Sequence, residues 1–228
     1  MAQVPVARGG SQATSVVGPI VATLALVLAM LALAAPTPVA AETAPDDCTI
    51  VGTDGDDLLV GTPGPDVICG LAGNDTIRGR GGDDIIRGGP GDDQLHGGPG
   101  RDQIFGGAGR DELLGKRGAD ILRGGPGPDE LRGGRGADDL RGGKGEDVLR
   151  GRRGHDTIRG GEGADIIFGG RGRDVVRGGP GADRIWGGKG DDDLRGNAGH
   201  DVIYGNGGTD RIIGGSGTDL VGPGSTIR

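Results

Sequence analysis

The stretch GGPGDDQLH, residues 88–96, gives three of its nine places to glycine and one to proline, and keeps a single aliphatic side chain, Leu95. It is one copy of a unit that recurs in phase. Set in nines from Gly52, the chain reads GTDGDDLLV, GTPGPDVIC, GLAGNDTIR, GRGGDDIIR, GGPGDDQLH and onward without insertion, through nineteen units to GGSGTDLVG ending at Gly222. Gly holds the first and fourth places of every unit, Asp the sixth, and Leu, Ile or Val the eighth. A fixed period decides the architecture before local propensity does.

Outward from that unit, the bulk composition excludes the common alternatives. The 228 residues include 56 glycines and only four aromatic side chains, with a formal charge of −8. Collagen needs glycine at every third place, and after Gly88 and Gly91 the next such place is Gln94. Low-complexity disorder fits the sparse apolar content, but it does not hold aspartate and an aliphatic residue in phase. Helix is excluded by the glycine density and by Pro63, Pro90, Pro99, Pro126 and Pro180. The glycine-rich places one to six are expected to be turn. Places seven to nine, such as Gln94-Leu95-His96, are expected to be a short strand whose eighth side chain points inward and whose seventh and ninth point out.

The repeat GGxGxDxUx, with U a large aliphatic residue, resembles the RTX (haemolysin-type) calcium-binding nonapeptide repeat across residues 52–222. The resemblance implies an all-β fold, a right-handed parallel β-roll in which two nonapeptides make one 18-residue coil. Nineteen repeats then give about nine and a half coils and, at a strand spacing of ~4.8 Å, a rod roughly 45 Å long. The resemblance also implies Ca2+ between successive turns, held by the sixth-place aspartates and turn carbonyls. Those aspartates are Asp57, Asp66, Asp75, Asp84, Asp93, Asp102, Asp111, Asp120, Asp129, Asp138, Asp147, Asp156, Asp165, Asp174, Asp183, Asp192, Asp201, Asp210 and Asp219. If each ion joins a repeat to the next but one, about 17 ions can bind.

The residue chemistry supports the ion independently. One aliphatic side chain per nine residues is a thin core to set against the entropy of ordering so much glycine, and carboxylates stacked at sheet spacing repel. Calcium accepts six to eight oxygens from carboxylates and carbonyls at flexible angles. Zinc would want thiolate or imidazole, and His96, His155 and His200 form no repeating pair. Turn capping by aspartate is the competing account, although it explains nineteen aspartates without one asparagine poorly. The fifth place is not a ligand column, since Asp92 gives way there to Arg101, Ala119 and His155.

Ahead of the repeats, residues 1–41 carry an apolar run from Val16 to Ala35 and small residues Val39-Ala40-Ala41, the pattern of an export signal cleaved before Glu42. A signal anchor is the alternative. Removal takes only Arg8 among charged residues, so the mature balance is 24 − 33 = −9, with no membrane span left. A secreted or cell-surface location follows, where Cys48 and Cys69 either pair or remain two thiols. Residues 42–51 form the amino-terminal cap, TAPDDCTIV being a worn repeat with Ile50 inward, and a Cys48–Cys69 bridge would pin it to the first full coil. Residues 223–228 read as a tail.

The outward ninth place is where a partner surface is expected. On one sheet it carries Arg123, Arg141, Arg159, Arg177 and Arg195 on consecutive rungs, with Asp139 and Asp193 near enough to balance them. On the other it carries Phe168, Trp186 and Tyr204, rings that can stack on sugars. Free variation at an outward place explains both equally well. About 17 ions would add roughly +34 to the mature charge, so a loaded rod is expected to attract anionic polysaccharide or cell-wall polymer and not nucleic acid. No HExxH, GxSxG or Walker motif is present, and Lys116, Lys144 and Lys189 are all expected in turns, so no enzyme is expected. The expected function is a secreted calcium-dependent surface or matrix module. A purely structural rod, or an accessory to a separate exported enzyme or toxin, is the alternative.

Overall fold

The computed structural model describes residues 47–222 and the backbone of 225–227. The expected export signal, 1–41, and residues 42–46 lie outside the described residues. Within them the chain forms strands joined by tight turns, and no helix. In chain order the strands alternate between two parallel sheets, one of eleven strands and one of ten, so the chain winds as a β-solenoid of about ten coils.

The register gives the coil length. Ile86 lies opposite Ile68 and Ile104 in the eleven-stranded sheet, and Leu95 lies opposite Ile77 and Leu113 in the ten-stranded one. Equivalent residues are thus 18 apart, two nonapeptides per coil. Every eighth-place side chain from Ile68 to Ile212 has no solvent exposure, and together they form one continuous core. The core is thin because each coil contributes two such side chains, one from each sheet.

The first three repeats have the expected three-residue strands, Leu58–Val60, Val67–Cys69 and Thr76–Arg78, but from Ile85 to Gly207 the strands are six residues long. Ile85–Pro90 and Gln94–Pro99 each cover places seven to nine and continue through places one to three of the next unit. The first place drops out of the pairing and the second and third rejoin it, as in Arg87↔Phe105, Gly89↔Gly107 and Pro90↔Ala108. The glycine-rich half of each unit is therefore paired as well as turned, and Lys116, Lys144 and Lys189 lie on strands rather than in turns. The reason is the stacking of near-identical coils. Each backbone group faces its equivalent one coil away, so the pairing runs on into the corners, where Gly91 N–H donates to the Ala108 carbonyl at 2.8 Å. Gly91 has φ +142°, and a Cβ there would collide with the Gly73 carbonyl of the preceding coil, so only glycine fits that corner.

Both ends carry an extra rung. At the amino-terminal end Ile50 pairs with Ile68, Cys48 is disulfide-bonded to Cys69 with Cα atoms 6.1 Å apart, and Arg87 reaches Asp47 at 3.2 Å. At the other end the expected tail contains a strand, Ser225–Ile227, which pairs with Asp210–Ile212 and completes the eleven-stranded sheet. The nine-residue pattern fails in GPGSTIR, so the pattern did not mark this strand; an open parallel edge accepts any extended segment that reaches it.

Candidate metal centre

A sixth-place aspartate shares its inward direction with the eighth-place aliphatic two residues on. From Asp75 to Asp210 these carboxyls are no more than 3% exposed. The sequence makes a column of charge beside the apolar column, and the structure encloses both.

The two oxygens of each carboxylate have different surroundings. In Asp93, Oδ1 accepts the Asp75 N–H at 2.8 Å from one coil earlier, and Asp93 N–H donates in turn to Oδ1 of Asp111 at 2.9 Å. The same bond repeats along the rod. From Asp75 to Asp201 aspartate does cap the turns, then, but the preceding coil's turn rather than its own, and only with Oδ1. Oδ2 is buried without a partner in fifteen consecutive repeats, from Asp75 to Asp201. A buried carboxylate oxygen with no donor costs on the order of 1–3 kcal/mol, and fifteen of them make a systematic demand for positive charge.

The first-place glycine shapes the space beside Oδ2. A Cβ on Gly88 would collide with Asp93 Oδ2 and lie 2.7 Å from the Gly106 carbonyl oxygen of the next coil. A carboxylate oxygen and a carbonyl oxygen from adjacent coils thus converge on a point that only glycine leaves open, and the same arrangement recurs at Gly142 with Asp147 and Gly160. Among the described residues no three carboxylate, imidazole or thiolate side chains come together, so an ion here must draw much of its shell from the backbone. Hard oxygen donors of mixed type suit calcium.

Desolvation is the largest influence on these groups. Burial raises the carboxyls of Asp93, Asp102, Asp129, Asp138 and Asp165 to about 7. It raises Asp111, Asp120, Asp147 and Asp156 to about 6. The Oδ1 hydrogen bond opposes the shift and does not cancel it. A proton or a metal ion is needed for the column to be comfortable near neutrality.

The amino-terminal end of the column differs. Oδ2 of Asp57 and Asp66 accepts the N–H of Thr53 and Thr62, both at 2.6 Å, and their hydroxyls at 2.9 and 3.0 Å. In these two units aspartate does cap its own turn. Fifth-place side chains tie adjacent coils together in another way. Asp92 Oδ1 accepts the Arg110 N–H at 2.8 Å, and Nδ1 of His155 and His200 accepts from Arg173 and Thr218 at 2.7 and 3.1 Å. His96 is on a strand instead and is half-buried. The histidines do not meet.

A family model described as the RTX calcium-binding nonapeptide repeat, in four copies, matches residues 51–86, 78–113, 87–122, 114–149, 142–176, 172–203 and 186–221. The chain belongs to the RTX calcium-binding nonapeptide repeat family. Repeats of this family bind Ca2+, and the orphaned oxygens of this RTX chain lie in the sixth-place column of those repeats. Comparison with curated proteins found no match. The RTX fold is a repeat solenoid rather than that of a known enzyme family.

On the outer surface of the rod, Arg123, Arg141, Arg159, Arg177 and Arg195 are in register on adjacent rungs. Asp139 bridges Arg141 and Arg159 at 3.3 and 3.0 Å, and Asp193 bridges Arg195 and Arg211 at 3.3 and 2.9 Å. Arg123 lies 5.7 Å from the Phe105 ring centroid, while Arg177 has no ion pair among the described residues. Phe168, Trp186 and Tyr204 stack on one another, with centroids 4.8 and 6.2 Å apart, and Arg150 covers the outer face of Phe168 at 5.4 Å. The ring faces are turned along the rod to their neighbours, so it is ring edges that meet solvent.

Proposed function

We propose that this RTX chain is an exported, non-catalytic rod that folds on calcium and then presents its charged faces to an anionic surface polymer. The fifteen buried, unpartnered Oδ2 atoms, each beside a glycine-lined opening, carry the calcium part of the reading. The ions would be held by the interior aspartates Asp75 to Asp201 and by first-place glycine carbonyls of the next coil, and would supply the positive charge that burial demands. Export is supported by the leader-like residues 1–41 and by the Cys48–Cys69 disulfide, which persists only under oxidising conditions. No helix among the described residues is long and apolar enough to cross a membrane.

The polymer is supported by charge. Each Ca2+ adds two positive charges to a mature chain of formal charge −9, so loading reverses the field around the rod. Isothermal titration of chelator-treated protein tests the site assignment. About fifteen ions per chain, with affinity in the extracellular range of ~10⁻⁴ to 10⁻³ M, is the expected result; a stoichiometry of one or two would overturn it.

A further inference from the structure

Reading the third place of the units by sheet exposes a one-sided column. On the ten-stranded sheet it holds Arg117, Arg135, Arg153, Arg171 and Lys189 on five consecutive rungs, all exposed and in register. On the corresponding rungs of the eleven-stranded sheet it holds Pro126, Lys144, Glu162, Pro180 and Ala198, where Lys144 and Glu162 pair at 3.6 Å. The first column sums to +5 and the second to zero. An arginine-rich composition would load both sheets alike. None of the five cations has an ion pair among the described residues, although a rung spacing of ~4.8 Å makes them repel.

Beside this column lies a groove of about 520 Å³, floored by Gly133 and Gly134 and lined by Leu114 and six cationic side chains, with no acid. Arg132 is committed to Glu112 and Glu130 at 3.3 and 2.6 Å, and Lys116, Arg117, Arg135, Arg152 and Arg153 are not. Lys116 and Arg152 flank Gly134 on the neighbouring rungs and hold φ of +82° and +81° at a second place that is glycine in eleven of nineteen units. Six non-glycine residues take this conformation: Asn197 and Asn206, of a type that tolerates it, Leu71 and Arg80 nearer the amino-terminal end, and the two cations of this one groove. Side chains kept at a backbone cost are a mark of function.

We propose that the groove over Gly134, with the third-place column beside it, binds a linear anionic polysaccharide running along the rod, one carboxylate or sulfate seated among Lys116, Arg135 and Arg152. A ring sugar in an extended chain advances by about one rung, which matches charge to charge. Single-stranded nucleic acid fits less well, because no aromatic residue lines the groove for a base to stack upon. The inference rests on the calcium-folded rod above and names the surface its polymer would use.

The test is heparin and polygalacturonate binding by the full chain in calcium at low salt, with folding of every variant followed by circular dichroism. Arg135→Gln with Arg153→Gln should weaken binding roughly tenfold or more and flatten its salt dependence, while Arg110→Gln with Lys144→Gln, the same charge change on the opposite edge, should alter it by no more than about twofold. Lys116→Gly with Arg152→Gly should weaken binding while raising the thermal midpoint, a combination that a structural role would not produce. Equal losses from the two charge pairs, or no binding by the folded rod, would overturn the site; single-stranded DNA bound as tightly as heparin would overturn the polysaccharide. A chain that gains no structure with calcium would remove both this inference and the reading it rests on.

Discussion

The two oxygens of one aspartate contain most of the energetics. Asp138 Oδ1 accepts the Asp120 N–H at 2.9 Å and its Oδ2 has no donor. Asp138→Asn keeps the first contact and removes the buried charge, so its effect should change sign with conditions. In chelator at neutral pH the substitution should stabilise what fold there is; in calcium it should destabilise by about 1–3 kcal/mol and raise the ion concentration at the folding midpoint. Denaturant unfolding in calcium and the residual β signal by circular dichroism in chelator check this, and the same sign in both would contradict it. Gly133→Ala acts on the same opening, since its Cβ would collide with Asp138 Oδ2, whereas Gly55→Ala meets nothing nearer than Thr53 Oγ1 at 3.9 Å. The first should impair calcium-dependent folding and the second should be nearly silent in the same titration.

Proton and calcium compete at this scale. Burial raises the carboxyls from Asp93 to Asp192 to about 6 to 7 in the fold, with Asp102 and Asp138 at the upper end and Asp120 at the lower, against about 3.9 for a free aspartate. With the folded value raised, protonation favours the fold. That stabilisation is fully present below the unfolded value and is lost as pH rises through about 6 to 7. In chelator, acidification from pH 7.5 to 4.5 should therefore recover part of the β signal, while in calcium the same change should weaken ion binding. A chelated chain equally unstructured at both pH values would contradict the burial of the column.

At the scale of the strand and coil, much was legible in advance. The invariant eighth place gave the core, and Ile50 and Ile68 pair as the worn repeat suggested. Strand length was not legible, because glycine reads as turn in any local scheme and only coil-on-coil stacking pairs it. The basic third-place column was hidden for a related reason. With the third place expected in a turn, Arg117, Pro126, Arg135 and Lys144 had no sheet to be sorted by, and only the extended strands assign them to one sheet or the other. The candidate site was half legible: the column of inward aspartates follows from the repeat, but the different surroundings of Oδ1 and Oδ2 depend on the offset of adjacent coils. The cap makes its own prediction. Cys48→Ser opens a link of separation 21 and should cost about 3 kcal/mol, concentrated in the first coils. Hydrogen exchange should quicken around Ile68 and stay unchanged near Ile185; uniform loss of protection would contradict a local cap.

At the scale of the whole rod each coil touches only its neighbours, so stability is a sum of coil and interface contributions, and in every interior interface a carboxylate oxygen lacks its partner. On the proposed reading calcium is a structural component of the RTX solenoid rather than a ligand of a finished fold. Its removal should release the chain as a unit, because losing one interface exposes the edge of the next. The most direct test is far-UV circular dichroism of the chelated chain at neutral pH, before and after millimolar calcium. The account predicts an unstructured spectrum that converts cooperatively to β; a β spectrum already complete in chelator, unchanged by calcium, would contradict it.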